Sequence, residues 1–314
     1  SGVGVTFTMS NDSAKVIEVV GGGPAQKAGL QAGDRIVTVN EMPVSGQGLS
    51  AEKVSSMIKG EKGSHVTPGI RRSSASRVLE FDLERGEVPL NSIDASYMLS
   101  DSVGYIRVNQ FSRTTYDEFL NALSDLMAEG AESYVIDLRG NLGGYMEIAV
   151  FMANEFLPAG SPIVFTRTRD GKDDRIFMSD NTGSFHNAGI VVLLDEYSAS
   201  SSEVFAGAIQ DNDRGLIIGR RSFGKGLIQR QAQLPDSSAL QMTIGRYYTP
   251  SGRCIQKDYS NQARYRNDLV DRFNHGEAFS ADSIRQDTTE VYRTMHGRVV
   301  YGGGGSVLRA VLPG

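Results

Sequence analysis

The chain has little of what several common chemistries require. Its single cysteine, Cys254, excludes an intramolecular disulfide framework and a cysteine-cluster metal site, and it reads as an incidental half-buried thiol. No run approaches the roughly 18 apolar residues of a membrane helix, and no charged, apolar, small-residue signal peptide opens the sequence. There is no concentrated Lys/Arg block, and 32 basic against 37 acidic side chains leave a net charge of −5, so nucleic acid is not an expected partner. The four histidines, His65, His186, His275 and His296, lie in polar, turn-like contexts without a signature tying any of them to a nucleophile. The sequence begins at Ser1 without Met, inside an apparent strand, which implies a trimmed chain from which any targeting segment has been removed.

What is present is a balance of 39% apolar and 22% charged residues over 314 positions, enough for more than one hydrophobic core. Residues 1–87 carry short β-rich runs, a Gly21-Gly22-Gly23-Pro24 turn, an alternating strand from Arg35 to Asn40 and a capped helix from Ala51 to Lys59. Strands over Val66–Arg71 and Val78–Leu83 would close them into a small β-barrel with two helices. From Val88 strands and helices alternate, so residues 88–314 are expected to form a layered core and the chain as a whole a mixed α/β protein. The polar, Arg/Asp-rich part from about 258 onward resists assignment.

Three segments carry candidate chemistry. Asp195-Glu196-Tyr197-Ser198-Ala199-Ser200-Ser201-Ser202-Glu203 lies between an apolar strand and a helix, where free N–H groups and a positive dipole face any developing oxyanion. Ser200 and Glu203 equally fit a capping box, which starts helices without any chemistry. Ser222-Phe223-Gly224-Lys225-Gly226 offers a lysine between two glycines; a lysine acts as a base only when neutral, and desolvation is what lowers an amine's pKa. Gln229, four residues on, could hold that amine, although Gly-Lys-Gly also fits an exposed turn with a solvated lysine. Asp137-Leu138-Arg139-Gly140-Asn141-Leu142-Gly143-Gly144 follows an apolar strand, and its glycines could aim N–H groups at an oxyanion beside the amide of Ser201. It fits neither the phosphate-loop nor the dinucleotide pattern, and a plain turn needing positive φ remains open.

Taken together, these segments resemble the carboxyl-terminal processing peptidases, or tail-specific proteases, whose order is a PDZ domain, Asp-Leu-Arg-x-Asn-x-Gly-Gly, Ser-Ala-Ser-x-Ser-Glu and Phe-Gly-Lys-Gly-x-x-Gln. The resemblance implies a serine-type endopeptidase with Ser200 as nucleophile, Lys225 as general base and Gln229 assisting, and 225 − 200 = 25 matches the family's separation. It implies an oxyanion hole from the amide of Ser201 and that of Gly143 or Gly144, and no metal or cofactor. Gly2-Val3-Gly4-Val5 looks like the PDZ carboxylate-binding loop, which would capture protein or peptide substrates by apolar C-terminal tails. Ser201 departs from the family's usual alanine, and the ending after Tyr301-Gly302-Gly303-Gly304-Gly305 is unfamiliar, which points to a truncated or altered C-terminus. Kinship implies an extracytoplasmic bacterial protease, periplasmic or membrane-anchored, and leaves homo-oligomerisation open. The alternatives are a PDZ-mediated binding protein on a catalytically silent scaffold and an acyl-transfer enzyme whose glycine turn holds a thioester oxyanion. A silent scaffold has no need of Ser200, Lys225 and Gln229 together, and the third reading lacks a phosphate or adenine motif.

Overall fold

The computed structural model describes residues 1–302 apart from 11, 89–90, 235, 237, 278, 281–282 and 284–286. The unfamiliar ending after Gly305 therefore lies outside the described residues. The chain forms two compact units, Ser1–Asn91 and the remainder from Ser92.

The first unit contains β1 (Val5–Ser10), β2 (Ser13–Val19), α1 (Pro24–Lys27), β3 (Arg35–Val39), β4 (Met42–Pro43), α2 (Ala51–Ile58), β5 (His65–Val66), β6 (Pro68–Arg71), β7 (Leu79–Glu80) and β8 (Leu83–Glu84). Alternation is broken in β3: Ile36 and Val39, three residues apart, are both buried in a core with Val16, Val54, Ile58 and Ile70, because the pairing with β6 shifts register between Ile36 and Thr38. Ser50 caps α2 by accepting a hydrogen bond from the Lys53 N–H, as its position before the apolar positions Val54 and Ile58 foretells. The expected barrel does not close. The main sheet runs β1-β2-β3-β6-β7 with β4 on β3, and a separate β5–β8 pair takes Val66 and Leu83 out of the strands that were to close it.

The second unit contains β9 (Ile93–Ser100), β10 (Val103–Val108), α3 (Thr115–Ala128), β11 (Ser133–Asp137), α4 (Met146–Asn154), β12 (Pro162–Thr168), β13 (Arg175–Met178), β14 (Gly189–Leu194), α5 (Ser201–Asp211), β15 (Leu216–Gly219), β16 (Leu227–Gln233), β17 (Ala239–Tyr248), α6 (Gln262–Asn274), β18 (Asp287–Arg293) and β19 (Val299–Gly302). One sheet runs β15-β14-β11-β10-β9, with β10, β11, β14 and β15 parallel and β9 antiparallel at its edge. The other, β13-β12-β17-β16, is antiparallel. Helices α4 and α5 pack on each other and both touch β12, joining the layers over a core that includes Ile136, Met152, Phe156, Val192 and Phe205. Helix α5 is buried along its whole length, and its small residues serve packing within the chain: a Cβ on Gly207 would stand 2.8 Å from the Thr249 side chain.

The sheet order decides where the chemistry lies. Strands β15, β14 and β11 are adjacent and parallel, so their carboxyl ends emerge side by side. The glycine turn follows β11, the serine cluster follows β14, and the run to Lys225 follows β15. In open parallel sheets that edge is where sites are built.

Candidate active site

Each serine of the cluster has a different employment. The buried Ser198 hydroxyl donates to the Leu138 carbonyl at 2.8 Å and accepts from the Asp195 N–H at 2.9 Å. Ser202, also buried, donates to the Asn141 carbonyl at 3.0 Å, and Ser201 donates to the Gly144 carbonyl at 2.9 Å. These three hydroxyls bind the serine loop to the glycine turn. Ser200 is half-buried, and its hydroxyl donates to no described residue. Its backbone sits at φ 56°, ψ −113°, a conformation that strains any residue with a Cβ and is found mainly at functional positions.

Glu203 explains how that conformation is held. Its carboxylate is fully buried, and it accepts the Ser200 N–H at 2.9 Å and the Lys225 N–H at 2.8 Å on one oxygen. The other oxygen accepts the Ser222 hydroxyl and the Gly224 N–H, both at 2.6 Å. Burial pushes this carboxyl above the usual range, and the four donors oppose that shift. The capping box legible in the sequence is therefore present, and it does more than start a helix, because the glutamate that receives the Ser200 amide also holds the lysine loop. Lys225 is half-buried, and its amine forms no hydrogen bond or ion pair with any described residue, Ser200 included. Gln229 stands exposed on β16, where its side-chain carbonyl accepts from Gln241 at 2.9 Å rather than meeting Lys225.

The glycine turn packs directly on the serine loop. A Cβ on Gly143, at φ 99°, would stand 2.7 Å from both the Ala199 carbonyl oxygen and Ser200 Cβ, so only glycine fits there. Gly144, at φ 152°, lies against Phe111 with the same consequence. Buried Asn141 fixes the turn: its amide donates to the Val108 carbonyl at 2.9 Å, and its side-chain oxygen takes the Gly143 N–H at 2.8 Å. The N–H groups of Gly144 and Ser201 make no hydrogen bond with a described residue.

Two further carboxylates went unrecognised in the sequence. Asp195 accepts the N–H groups of Gly140 and Tyr197, both at 3.0 Å, and that of Ser198 at 3.1 Å, joining the two loops. An Asp straight after an apolar strand and three residues before a Ser was the available signal. Asp137, buried at the end of β11, holds Arg139 at 2.6 Å and the Tyr105 hydroxyl at 2.6 Å. Burial alone would raise its pKa, yet these bonds hold it below the usual value, while burial and Asp137 push the Tyr105 phenol up to about 12.

In the first unit the Gly2–Val5 segment leads into β1, an edge strand of its sheet. The carbonyls of Val3 and Gly4 are taken by the N–H groups of Ala25 at 2.8 Å and Val20 at 2.9 Å. The N–H groups of Val3 and Gly4 make no hydrogen bond with a described residue.

Residues 102–261, half of the chain, match peptidase family S41, and residues 15–72 match the PDZ domain. The chain belongs to peptidase family S41. It is 34% identical over 262 residues to a carboxyl-terminal-processing protease of Synechocystis, a match covering 82% of this chain and 60% of that protein. It is 36% identical over 259 residues to the carboxy-terminal-processing protease of Bartonella bacilliformis, covering 81% of this chain and 58% of that one. The chain thus spans about 60% of the length of these curated relatives. Its fold is shared with a solved structure described as an S41 protease from Bacteroides fragilis, at a TM-score of 0.58 and 20% identity over 80% of this chain and 72% of that one. The mixed α/β fold with an N-terminal PDZ domain, expected from the motifs, is the fold observed.

Proposed function

We propose that the chain is a serine endopeptidase that cuts proteins near their C-termini, with Ser200 as nucleophile and Lys225 as general base. The observation that carries this reading is the convergence of the Ser200 and Lys225 amides on one buried carboxylate oxygen of Glu203. Such a clasp fixes two loops that share no sheet pairing. The neutral Lys225 amine takes the Ser200 hydroxyl proton as Oγ bonds to the scissile carbonyl carbon, and the ammonium returns that proton to the departing amine. Water then hydrolyses the acyl ester by the same route.

The Gly143 N–H is already given to Asn141, so we assign the oxyanion hole to the amides of Ser201 and Gly144. To assist the lysine, Gln229, whose side-chain oxygen accepts from Gln241, would have to turn toward Lys225. A PDZ domain and a peptidase core on one chain imply peptide substrates, delivered or gated by the first and cut by the second. Apolar C-terminal tails and a location outside the cytoplasm belong to the same proposal.

The test is turnover of an unstructured protein and labelling by a fluorophosphonate, compared between the parent chain, Ser200→Ala and Lys225→Ala. Loss of both signals in Ser200→Ala, with Lys225→Ala equally inactive in turnover, is the expected result. Undiminished turnover in either variant removes the dyad. Absence of labelling and turnover in the parent chain would favour the binding-protein alternative.

A further inference from the structure

The loop that carries Lys225 belongs to no helix or strand, yet its backbone is held from two directions. From α5 and its flank, Glu203 takes the N–H groups of Gly224 and Lys225, and the Ser198 carbonyl takes that of Phe223 at 2.9 Å. From α6 comes Arg272. Its guanidinium donates to the Arg221 carbonyl and, at 3.2 Å, to the Ser222 carbonyl, while its Nε donates to Glu277 at 3.0 Å. Glu277 is itself buried and accepts two bonds from the Arg221 guanidinium, each at 2.8 Å.

Helix α6 docks in an unusual way. Arg272, 8% exposed, is its buried residue, whereas Val270 is 60% and Phe273 57% exposed. Two cavities of about 260 and 820 Å³ are lined in part by α6, and Arg272 and Glu277 border both. An amphipathic helix is normally seated by an apolar stripe. Here Tyr265, edge-on to Phe223, and Leu269 are half-buried, and the buried side chain is a guanidinium, which is costly to bury unless its hydrogen bonds are satisfied.

Resting on the dyad reading above, we propose that Arg272 is a positioning residue, whose guanidinium, braced by Glu277, fixes the Arg221 and Ser222 carbonyls and thereby sets where Lys225 stands for proton transfer from Ser200. The planar fork matters, because it reaches two carbonyls and a carboxylate in fixed directions at once. An ammonium is a point charge on a flexible stem and cannot reproduce that geometry.

The experiment uses the full chain with Arg272→Lys, Arg272→Ala and Glu277→Gln, and Arg266→Ala as a control at an exposed position of the same helix. Sites are counted by the end point of fluorophosphonate labelling, and kcat per labelled site, KM and Tm are measured. Arg272→Lys should lose about 10- to 100-fold in kcat per site with KM unchanged, as a displacement of about 1 Å at a catalytic group does. Glu277→Gln should lose less, and Arg266→Ala nothing. A merely structural role would lower Tm and leave kcat per site intact in Arg272→Lys and Glu277→Gln, and that result overturns the proposal. So does an equal loss in Arg266→Ala. If the Arg272 variants fail to fold, Glu277→Gln decides by the same criterion. Inactive Ser200→Ala and Lys225→Ala beside normal Arg272 variants would sink this inference alone, whereas active Ser200→Ala would sink the dyad.

Discussion

Glu203 and Lys225 meet through the backbone: the buried carboxylate accepts the Lys225 N–H at 2.8 Å on the oxygen that also accepts the Ser200 N–H at 2.9 Å. The acid thus sets the separation of the two loops without touching a reacting atom. Glutamine keeps the size and one acceptor oxygen, but its NH₂ would face two donors. Glu203→Gln should therefore lose about 10- to 100-fold in kcat with little change in KM. It should also lose about 1.5–3 kcal/mol of stability for the charged hydrogen bonds removed. Steady-state kinetics beside a denaturant titration checks both, and an unchanged kcat in a folded Glu203→Gln chain would refute the clasp.

Backbone strain at Ser200 gives a second expectation that separates stability from activity. At φ 56°, ψ −113°, a residue with a Cβ costs about 1–3 kcal/mol, and glycine escapes most of that cost. Ser200→Ala and Ser200→Gly should both be inactive, but Ser200→Gly should be the more stable by about 1 kcal/mol, after its greater chain entropy in the unfolded state is set against the relief. Thermal melts of the two inactive chains decide it. A less stable Ser200→Gly would mean that the serine loop relaxes away from the strained conformation.

The sequence shows these loops better than it shows what holds them. Strand β14 is legible, because the apolar run from Gly189 up to Asp195 has few other options in an α/β chain. Helix α6 stays hidden: Gln262–Asn274 is rich in Arg and Asp, its thin apolar stripe of Tyr265, Leu269 and Phe273 is diluted by that charge, and the position it buries is Arg272. Strand β9 is missed although Ile93-Asp94-Ala95-Ser96-Tyr97 alternates, since it is an edge strand whose side chains are at most half-buried and the alternation breaks down after Tyr97. Ser200, Lys225, Gly143 and Gly144 are legible as motifs. The role of Glu203 is not, because a capping box already accounts for a Glu three residues after a Ser, and its bond to Lys225 joins segments 22 residues apart.

Asp137 and Arg139 supply a pH dependence whose sign can be worked out. Burial alone would raise the carboxyl, but Arg139 and Tyr105 hold it below its ordinary value of about 3.9. Its folded pKa is therefore depressed, so its contribution to stability is present above the unfolded value and lost as pH falls through the folded one. Arg139→Ala removes the main opposing partner. The Arg139 guanidinium is half-exposed and partly screened, so the cost near pH 7 should be about 1–2 kcal/mol rather than that of a fully buried pair. The gap in stability between the two chains should narrow as pH is lowered below about 4. Denaturant titrations across that range measure it, and a gap independent of pH would mean that the ion pair contributes only packing.

The last expectation concerns the first unit. Gly4 lies at φ 80°, and a Cβ there would stand 3.3 Å from Val88 and 3.4 Å from Val20, so the loop depends on glycine. In that conformation the Val3 and Gly4 carbonyls are engaged while their N–H groups are not, and β1 offers a sheet edge directly after them. A peptide carboxylate can accept those N–H groups while the peptide backbone extends the sheet. A peptide ending in an apolar residue with a free carboxylate should therefore bind, and amidation, which keeps every side chain and removes the charge, should weaken binding about 10- to 100-fold for the loss of 1.5–3 kcal/mol in charged hydrogen bonds. Calorimetric titration of both peptides into the Ser200→Ala chain avoids turnover. Repeating it with Gly4→Ala, which strains the loop, separates this loop from binding at the catalytic unit. Equal affinities for acid and amide, or full affinity in Gly4→Ala, would show that tails are recognised elsewhere on the chain, whatever the fate of Ser200 and Lys225 as the catalytic pair.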